Sequence, residues 1–280
     1  MRPPLTRRSF GKTIGLAAAG AVAGGPARGV ETAPAPSTPD VVREPARDVP
    51  VAADVDVCVL GGSCTGVFAA VAAARLGARV ALVERLGFFG GTATASMVNV
   101  WHSLRDWDGK QPIIAGLTAE VIDRLDARDA VIHRGNRSKG VEFNCEELKH
   151  ELDRLVLEAG VRPFLHTQFA APLAEGGRMT AALVEDKAGR RAIRARAFVD
   201  ATGDADAVHR MGLATYKRRD LQPPTTCAIL RGTKALEKAH GVRLNRVIFD
   251  TRYPEALKKG FSWSAAVPGA WLVRWRWSAI

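Results

Sequence analysis

Six residues, Gly61-Gly62-Ser63-Cys64-Thr65-Gly66, and one acid beyond them, Glu84, have the types and spacing to hold a dinucleotide. A glycine at 61 permits a sharp reversal from strand to helix, and a glycine at 66 lets that helix pack close to the strand. The free N–H groups at the helix start then face a pyrophosphate, and the helix dipole favours its charge. A carboxylate at about the offset of Glu84 meets a ribose hydroxyl. The spacing departs from G-x-G-x-x-G at one place, since Ser63 stands where the middle glycine belongs. Serine is small, and its hydroxyl can donate to a phosphate oxygen. The alternative is a unit of the same shape that has lost its ligand.

The residues after Glu84 bear on which dinucleotide. Arg85 is followed by a second glycine pair, Gly90-Gly91, with Thr92, Ala93 and Thr94 behind it. A nicotinamide dehydrogenase needs no second glycine turn here. A flavin dinucleotide, buried along its whole length, needs close backbone approach and hydroxyl donors at both pyrophosphate and ring. Residues 197–206 add an apolar strand running into Ala201-Thr202-Gly203-Asp204, a second place where backbone can meet the ligand. Between these lies the segment 93–104. His102 there is the candidate general acid or base, because an unperturbed imidazole titrates near neutral pH. Its alternative is a surface or helix-capping histidine. Asn99 and Arg105 are candidates for holding substrate polar groups, and Trp101 for a wall of the site or for core. No histidine, cysteine and carboxylate spacing suggests a metal.

The elements that must position these residues follow from periodicity. Residues 55–60 read as a short β-branched strand, 67–76 as a small-residue helix stopped by Gly77, and 79–83 as a second strand. Together they form one βαβ unit. Apolar residues at helical spacing mark 117–128. Asn144 offers an N-cap for a helix over 146–159, with Leu148, Leu152, Leu155 and Val156 as its buried stripe and Gly160 as its stop. A strand is expected near 161–165, and a hairpin over 181–185 and 191–195 around Lys187-Ala188-Gly189.

These segments resemble the FAD-dependent oxidoreductases of the glutathione-reductase-like, two-dinucleotide-binding-domain superfamily. The matching stretches are 54–74, 81–98, 141–161 and 194–212, with Gln222-Pro223-Pro224 as a further element, over roughly 54–269. The motifs are specific for FAD and not for substrate. The resemblance implies an α/β fold, with a Rossmann-like FAD-binding domain of parallel sheet, helices and a small β excursion, plus part of a substrate domain. It implies FAD as cofactor, and contacts from Gly61, Gly62, Ser63, Thr65, Gly66, Glu84, Arg85, Gly90, Gly91, Thr92, Ala93, Thr202, Gly203 and Asp204. It also places the segment 166–169 under the adenine, with Phe169 reading its edge by backbone. The flavin itself would perform the redox step.

At the N-terminus, Thr6-Arg7-Arg8-Ser9-Phe10-Gly11-Lys12 is close to a twin-arginine export consensus, and a mild Ala/Gly-rich run follows. That run is too short and too weakly apolar to span a membrane. The expected organisation is a signal peptide over 1–30, a linker over 31–52, and the first part of the FAD domain over 53–110. A helical connection with a return strand (111–165), the second part of the FAD domain (166–215) and an incomplete substrate domain (216–280) follow. The protein would then be periplasmic or extracellular, with the export machinery as a partner. Its other partners would be a small-molecule substrate and an electron acceptor. The net charge of +11 is concentrated after residue 209, where 14 basic residues face 4 acidic ones. Either an acidic substrate or anionic surface, or simply a solvated basic face, accounts for it. No nucleic-acid motif accompanies the charge. Four cysteines without C-x-x-C spacing suggest neither a zinc site nor a redox dithiol. Cys58 reads as core. Cys64 reads as a turn filler or a neighbour of the pyrophosphate, Cys145 as a helix start, and Cys227 as part of a strand. The family-like pattern breaks after Gly269 into a tryptophan-rich tail, which reads as a frameshift or premature stop, with a genuine strand as the alternative. The leading expectation is an exported FAD-dependent oxidoreductase. A flavin binder without turnover and a nicotinamide-dependent dehydrogenase are the alternatives.

Overall fold

The computed structural model describes residues 42, 44–102, 104–133, 140–217, 227, 229–230, 233–241, 265–267 and 277–279. The twin-arginine motif, most of the expected linker, the Gln222-Pro223-Pro224 element and much of the tail lie outside them. Residues 1–47 form one unit and 48–280 another; all that follows concerns the second.

The first strand, β1 (Val51–Leu60), begins four residues before the β-branched run. Val51 pairs with Ala192 across the sheet, so the end of the expected linker is drawn into strand. Helix α1 (Cys64–Arg75) leads into β2 (Val80–Val83), and β1 and β2 pair in parallel. The helix starts three residues earlier than expected, because Ser63 is its N-cap. It stops at Leu76 and at Gly77 (φ +91°). Small residues let α1 lie close on the sheet, burying Gly66, Val67, Ala70 and Val71 on one face.

Helix α2 (Leu117–Asp126) and helix α3 (Cys145–Glu158) stack beside α1. The Asn144 side chain accepts from the N–H groups of Glu146 and Glu147, as its position before the apolar stripe requires. Leu148, Leu152 and Leu155 are fully buried, each worth roughly 1.5–3 kcal/mol of apolar burial. Charged groups tie the three helices at their edge. Arg75 of α1 meets Glu120 of α2 at 2.6 Å, and Arg124 bridges Glu120 (2.8 Å) and Glu158 of α3 (2.7 Å).

The six-stranded sheet runs β6-β2-β1-β9-β8-β7, with β6 (Arg162–Phe164), β7 (Gln168–Glu175), β8 (Arg178–Asp186) and β9 (Gly189–Asp200). Its two faces carry two clusters. On the helix side, Val59 and Leu82 of the sheet pack with Val67 and Val71 of α1. Cys58, Leu60, Ala81 and Val83 turn the other way and pack with Phe164, Phe169, Val184 and Ile193. The expected hairpin is present, but its second arm and the Asp200 strand are one continuous twelve-residue β9. One part of β9 pairs antiparallel with β8, and the strand runs parallel to β1. The β excursion and the dinucleotide sheet are thus one sheet.

A second sheet was not foreseen. β3 (Val100–Trp101), β5 (Val141–Phe143) and β4 (Val131–His133) pair in the order β3-β5-β4. Strands of two and three residues are too short for alternation to reveal them. Beyond α4 (Asp206–Arg210), the described residues form β10 (Ile229–Leu230), α5 (Thr233–His240), β11 (Ala265–Val267) and β12 (Trp277–Ala279). β12 lies between β10 and β11, so residues of the tryptophan-rich tail are placed in a strand. Cys227 precedes β10 and is not in a strand.

Candidate functional site

The turn after β1 is closed by neighbours on both sides. The Gly61 N–H donates to Val83 O (2.8 Å), and the Ala201 N–H donates to Leu60 O (2.8 Å). Gly61 has φ +98°, and a Cβ there would lie 2.3 Å from Ala201 O. At Gly66 a Cβ would lie 1.8 Å from Gly61 O. Both glycines are therefore demanded by backbone contact. Ser63 has extended backbone, its hydroxyl accepts from Gly66 N (3.3 Å), and it lies 3.5 Å from Ala201 O as a donor. The hydroxyl oxygen thus caps the helix, and the group faces Ala201 O. Serine is accommodated because the helix starts at 64. The N–H group of Thr65 then has no acceptor within the helix, while that of Cys64 lies at the parallel bridge between Ser63 and Gly90. Thr65 is exposed.

Glu84 is buried at the end of β2, with 7% of its surface exposed. Its Oε2 accepts from Gly62 N (2.7 Å) and its Oε1 from Leu86 N (2.8 Å). The acid expected at a ribose also staples the first glycine turn to the second strand. Each carboxylate oxygen retains capacity for a further donor. The second glycine pair joins the same knot, since Gly90 N donates to Gly62 O (2.8 Å). Gly90 (φ +111°) and Gly91 (φ +54°) turn the chain back on itself. Thr94 is buried and donates to Phe89 O (2.7 Å), so it holds the turn and is no ligand donor. Ala93 is buried, while Arg85 and Thr92 are exposed. Segment 166–169 runs beside these turns: His166 N donates to Leu86 O (3.0 Å) and Thr167 N to Glu84 O (3.0 Å). Phe169 is buried in β7 opposite Val184, with the Arg210 guanidinium 5.8 Å from its ring centroid.

Asp200, at the end of β9, went unrecognised in the sequence. Its Oδ1 accepts from Thr202 Oγ1 (2.7 Å) and Thr202 N (3.1 Å), and its Oδ2 from Ala207 N (2.9 Å) and Val208 N (3.0 Å). Burial alone pushes its carboxyl upward, but these bonds outweigh it and hold the group below the usual carboxylate value. Thr202 was expected to contact the cofactor, yet its hydroxyl donates to Asp200 and accepts from Asp206 N (2.9 Å). It shapes the loop instead. Gly203 (φ +91°) and Asp204 are left exposed at its tip, and Ala205 takes a left-handed φ of +57°. An acid in the strand's last position, followed by Ala-Thr-Gly, was the available signal.

Beside the α1 N-terminus lies an open cleft of about 380 Å³. Its apolar lining is Phe68, Val100, Trp101, Leu104 and Ile114; Cys64, Thr65, His102 and Thr118 supply its polar atoms. His102 is exposed and lines it. Trp101 serves both readings, since it lines the cleft and packs on Phe143 with centroids 4.7 Å apart. Arg105 does not line it. Its Nη1 donates to Lys110 O (3.2 Å) within its own surface turn, which keeps the charge in water. Asn99 is buried and donates to Phe143 O (3.2 Å), a strut between β5 and the segment before β3. Cys64 is a turn filler that also borders the cleft. Its thiol lies 3.6 Å from Gly90 O, and burial pushes its pKa up to about 12. Sequence reasoning missed Phe68 and Thr118. Phe68 lies four residues after Cys64, on the same helix face, which is the signal that could have found it.

Among the described residues no group of histidines, cysteines and acids could hold a metal ion, and no helix is long and apolar enough to cross a membrane. His133 lies 3.3 Å from Asp126 on the surface.

The model of the FAD dependent oxidoreductase family matches residues 56–271. No curated protein matches the chain. Among solved structures it is similar to a geranylgeranyl bacteriochlorophyll reductase-like protein of Thermoplasma acidophilum (16% identity, TM-score 0.43). That match covers 57% of this chain and 42% of the other. It is also similar to THI4 of Thermovibrio ammonificans (21%, TM-score 0.43, 56% and 61%). A third is the 3-ketosteroid-Δ4-(5α)-dehydrogenase of Rhodococcus jostii (17%, TM-score 0.39, 54% and 46%). The chain therefore matches only about half the length of these proteins.

Proposed function

The chain belongs to the FAD dependent oxidoreductase family, and from that premise we propose that it is an exported enzyme that moves a hydride equivalent from an organic substrate to flavin. Membership sets aside the nicotinamide-dependent dehydrogenase. The observation that carries the reading is the cradle itself. Two glycine turns are locked together through Glu84 and Gly62 and by the parallel bridge of Ser63 with Gly90, and they leave the first turn of α1, at Thr65, facing out of the cradle. With the Ser63 hydroxyl turned inward, these residues fit an FAD pyrophosphate.

In this reading the first turn of α1 holds the pyrophosphate through the Thr65 N–H, Glu84 the ribose, and the backbone near Phe169 the adenine. Gly90, Gly91, Thr92, Gly203 and Asp204 approach the ribityl chain and ring. When bound, FAD supplies the two-electron acceptor. The cleft places a substrate beside Thr65, and His102 receives the proton lost from the substrate hydroxyl. Electrons then pass to an acceptor outside the chain. Export rests on Arg7 and Arg8 within their motif, and that route suits a folded cargo with its cofactor in place.

Purified full-length protein should carry flavin absorbance or gain it on adding FAD, with fluorescence quenching that saturates. A protein that stays colourless and leaves FAD fluorescence untouched overturns the reading. His102→Gln should keep FAD binding and slow substrate bleaching of the flavin by ~10²–10⁴-fold. The second reading is a flavin binder without turnover. It is favoured by one observation: of the two catalytic candidates, only His102 lines the cleft. A parent protein that takes up FAD and is bleached by no candidate substrate would favour it, whereas equal bleaching in parent and variant would remove His102 from the chemistry. Arg7→Lys with Arg8→Lys should hold the protein in the cytoplasm, as cell fractionation would read; unchanged distribution sinks the export route.

A further inference from the structure

The +11 charge invites an anionic substrate, and the cleft contradicts that invitation. Among the described residues, no Lys, Arg, Asp or Glu lines it. Arg105, the cation nearest His102 in sequence, is bonded to Lys110 O in the turn that follows. A carboxylate entering this cleft would lose water and gain no opposite charge. An apolar body would meet Phe68, Trp101, Leu104 and Ile114. The polar residues lining it are few: Cys64, Thr65, His102 and Thr118. A burial-raised pKa keeps the Cys64 thiol uncharged. The volume, about 380 Å³, lies at the small end of ligand sites, which span roughly 300–1,000 Å³.

We propose that the cleft takes a neutral, compact and largely apolar alcohol, oriented by Thr118 and His102, and discriminates against carboxylates and phosphate esters. The identification of the cleft as the substrate side of a flavin site rests on the reading above. In the reaction the carbinol C–H bond breaks and its electron pair leaves as hydride to FAD. The O–H proton goes to His102, and a carbonyl product forms. The alcohol is oxidised by two electrons and FAD reduced by two.

The test uses the FAD-loaded full chain and two probes with one ring system, 2-naphthalenemethanol and 2-naphthoate, followed by calorimetry. The alcohol should bind at least ~10-fold tighter than the carboxylate. Ile114 is 46% exposed, so Ile114→Arg should fold, and it should reverse the order by placing a cation on the wall. Thr118→Val, checked by thermal melting, should weaken the alcohol by ~3–10-fold and leave 2-methylnaphthalene unchanged. Tighter or equal binding of 2-naphthoate by the parent overturns the proposal, and so does binding of neither probe. Alcohol binding by FAD-free protein that FAD abolishes also overturns it, since the cleft would then be the seat of the flavin ring. Flavin absorbance, recorded separately, reports whether the chain takes FAD at all, so failure of the cofactor reading is seen apart from failure of the cleft.

Discussion

The cofactor cradle and the cleft share the first turn of α1 and are built in opposite ways. In the cradle, residues 61–66, 84–91 and 200–204 bond to one another: Glu84 to Gly62, Gly62 to Gly90, Ala201 to Leu60, and Asp200 to four donors. A Cβ added at Gly61, Gly62, Gly66 or Gly90 would come within 2.6 Å of another atom. The cleft wall is a short β3 and a surface turn. Trp107 there is 99% exposed, and glycine is required by turn geometry at Gly109 (φ +69°) and Gly116 (φ +62°) and by one close approach at Gly140, where a Cβ would lie 2.3 Å from Trp101 O. One region tolerates almost no change of residue type, and the other imposes few. Cofactor identity is therefore written in residue types, whereas substrate identity is a matter of the shape and charge of side chains that could easily have been others.

The comparison can be broken most sharply at Gly66. A methyl group there would lie 1.8 Å from Gly61 O, and that contact is backbone on both sides. Gly66→Ala should push α1 off the sheet and destabilise the protein by more than about 4 kcal/mol. Thermal melting and loss of FAD uptake read it. A well-folded variant that binds FAD normally would show that the cradle is far softer than its packing implies.

Glu84→Gln is the next in size. The amide keeps one acceptor oxygen and turns an NH₂ group toward either Gly62 N–H or Leu86 N–H, leaving one buried donor unpaired. The cost should be about 1–3 kcal/mol in stability, with weaker FAD binding. If stability is unchanged, Glu84 belongs to the ligand alone and is no staple.

The same contrast explains what could be read from the sequence. Gly61, Gly66, Gly77 and Asn144 were legible because each answers a backbone demand that few residues satisfy. The buried stripe of α3 was legible because fourteen residues display the helical period. β3, β4 and β5 were not, since their pairing is set by contacts distant in sequence and their two or three residues show no period. Ser63 looked like a flaw in the fingerprint because the helix start was placed at 67; with the start at 64, serine is a good N-cap. Thr202 shows a different loss. Its type suggested ligand contact, and only the fold reveals that its hydroxyl bonds Asp200 and the start of α4. Likewise the charge of Arg105 suggested substrate binding, but its direction depends on the turn it sits in.

Between cradle and cleft in rigidity is the helix-edge network. Arg75 at 2.6 Å and Arg124 at 2.8 Å hold the Glu120 carboxyl down to about 2, the Arg75 hydrogen bond contributing most. Because the folded value lies below the unfolded one, the contribution is present above about pH 4.5. It is lost as pH falls through about 2. The groups are partly exposed, so Glu120→Gln should cost only about 0.5–1 kcal/mol at neutral pH. Chemical denaturation at pH 7 and pH 2.5 checks the sign, since the gap between parent and variant should shrink in acid. A gap that grows would reverse the assignment.

The smallest effect is expected at Arg105, on the rim turn of the cleft. Its guanidinium bond to Lys110 O is exposed, and the turn is also held by backbone, with Asp106 N donating to Gln111 O (2.9 Å) and Ile113 N to Leu104 O (3.0 Å). Arg105→Ala should therefore change stability by less than about 0.5 kcal/mol. The kinetic expectation is equally flat. A residue that bound an anionic substrate would raise KM for carboxylates ~10-fold or more when removed, since a charged hydrogen bond is worth about 1.5–3 kcal/mol. A residue facing its own turn changes neither KM nor kcat. A selective loss for anionic probes would mean that the turn swings its charge into the cleft once substrate and flavin are bound, and the division between a rigid cradle and a neutral cleft would have to be redrawn at that turn.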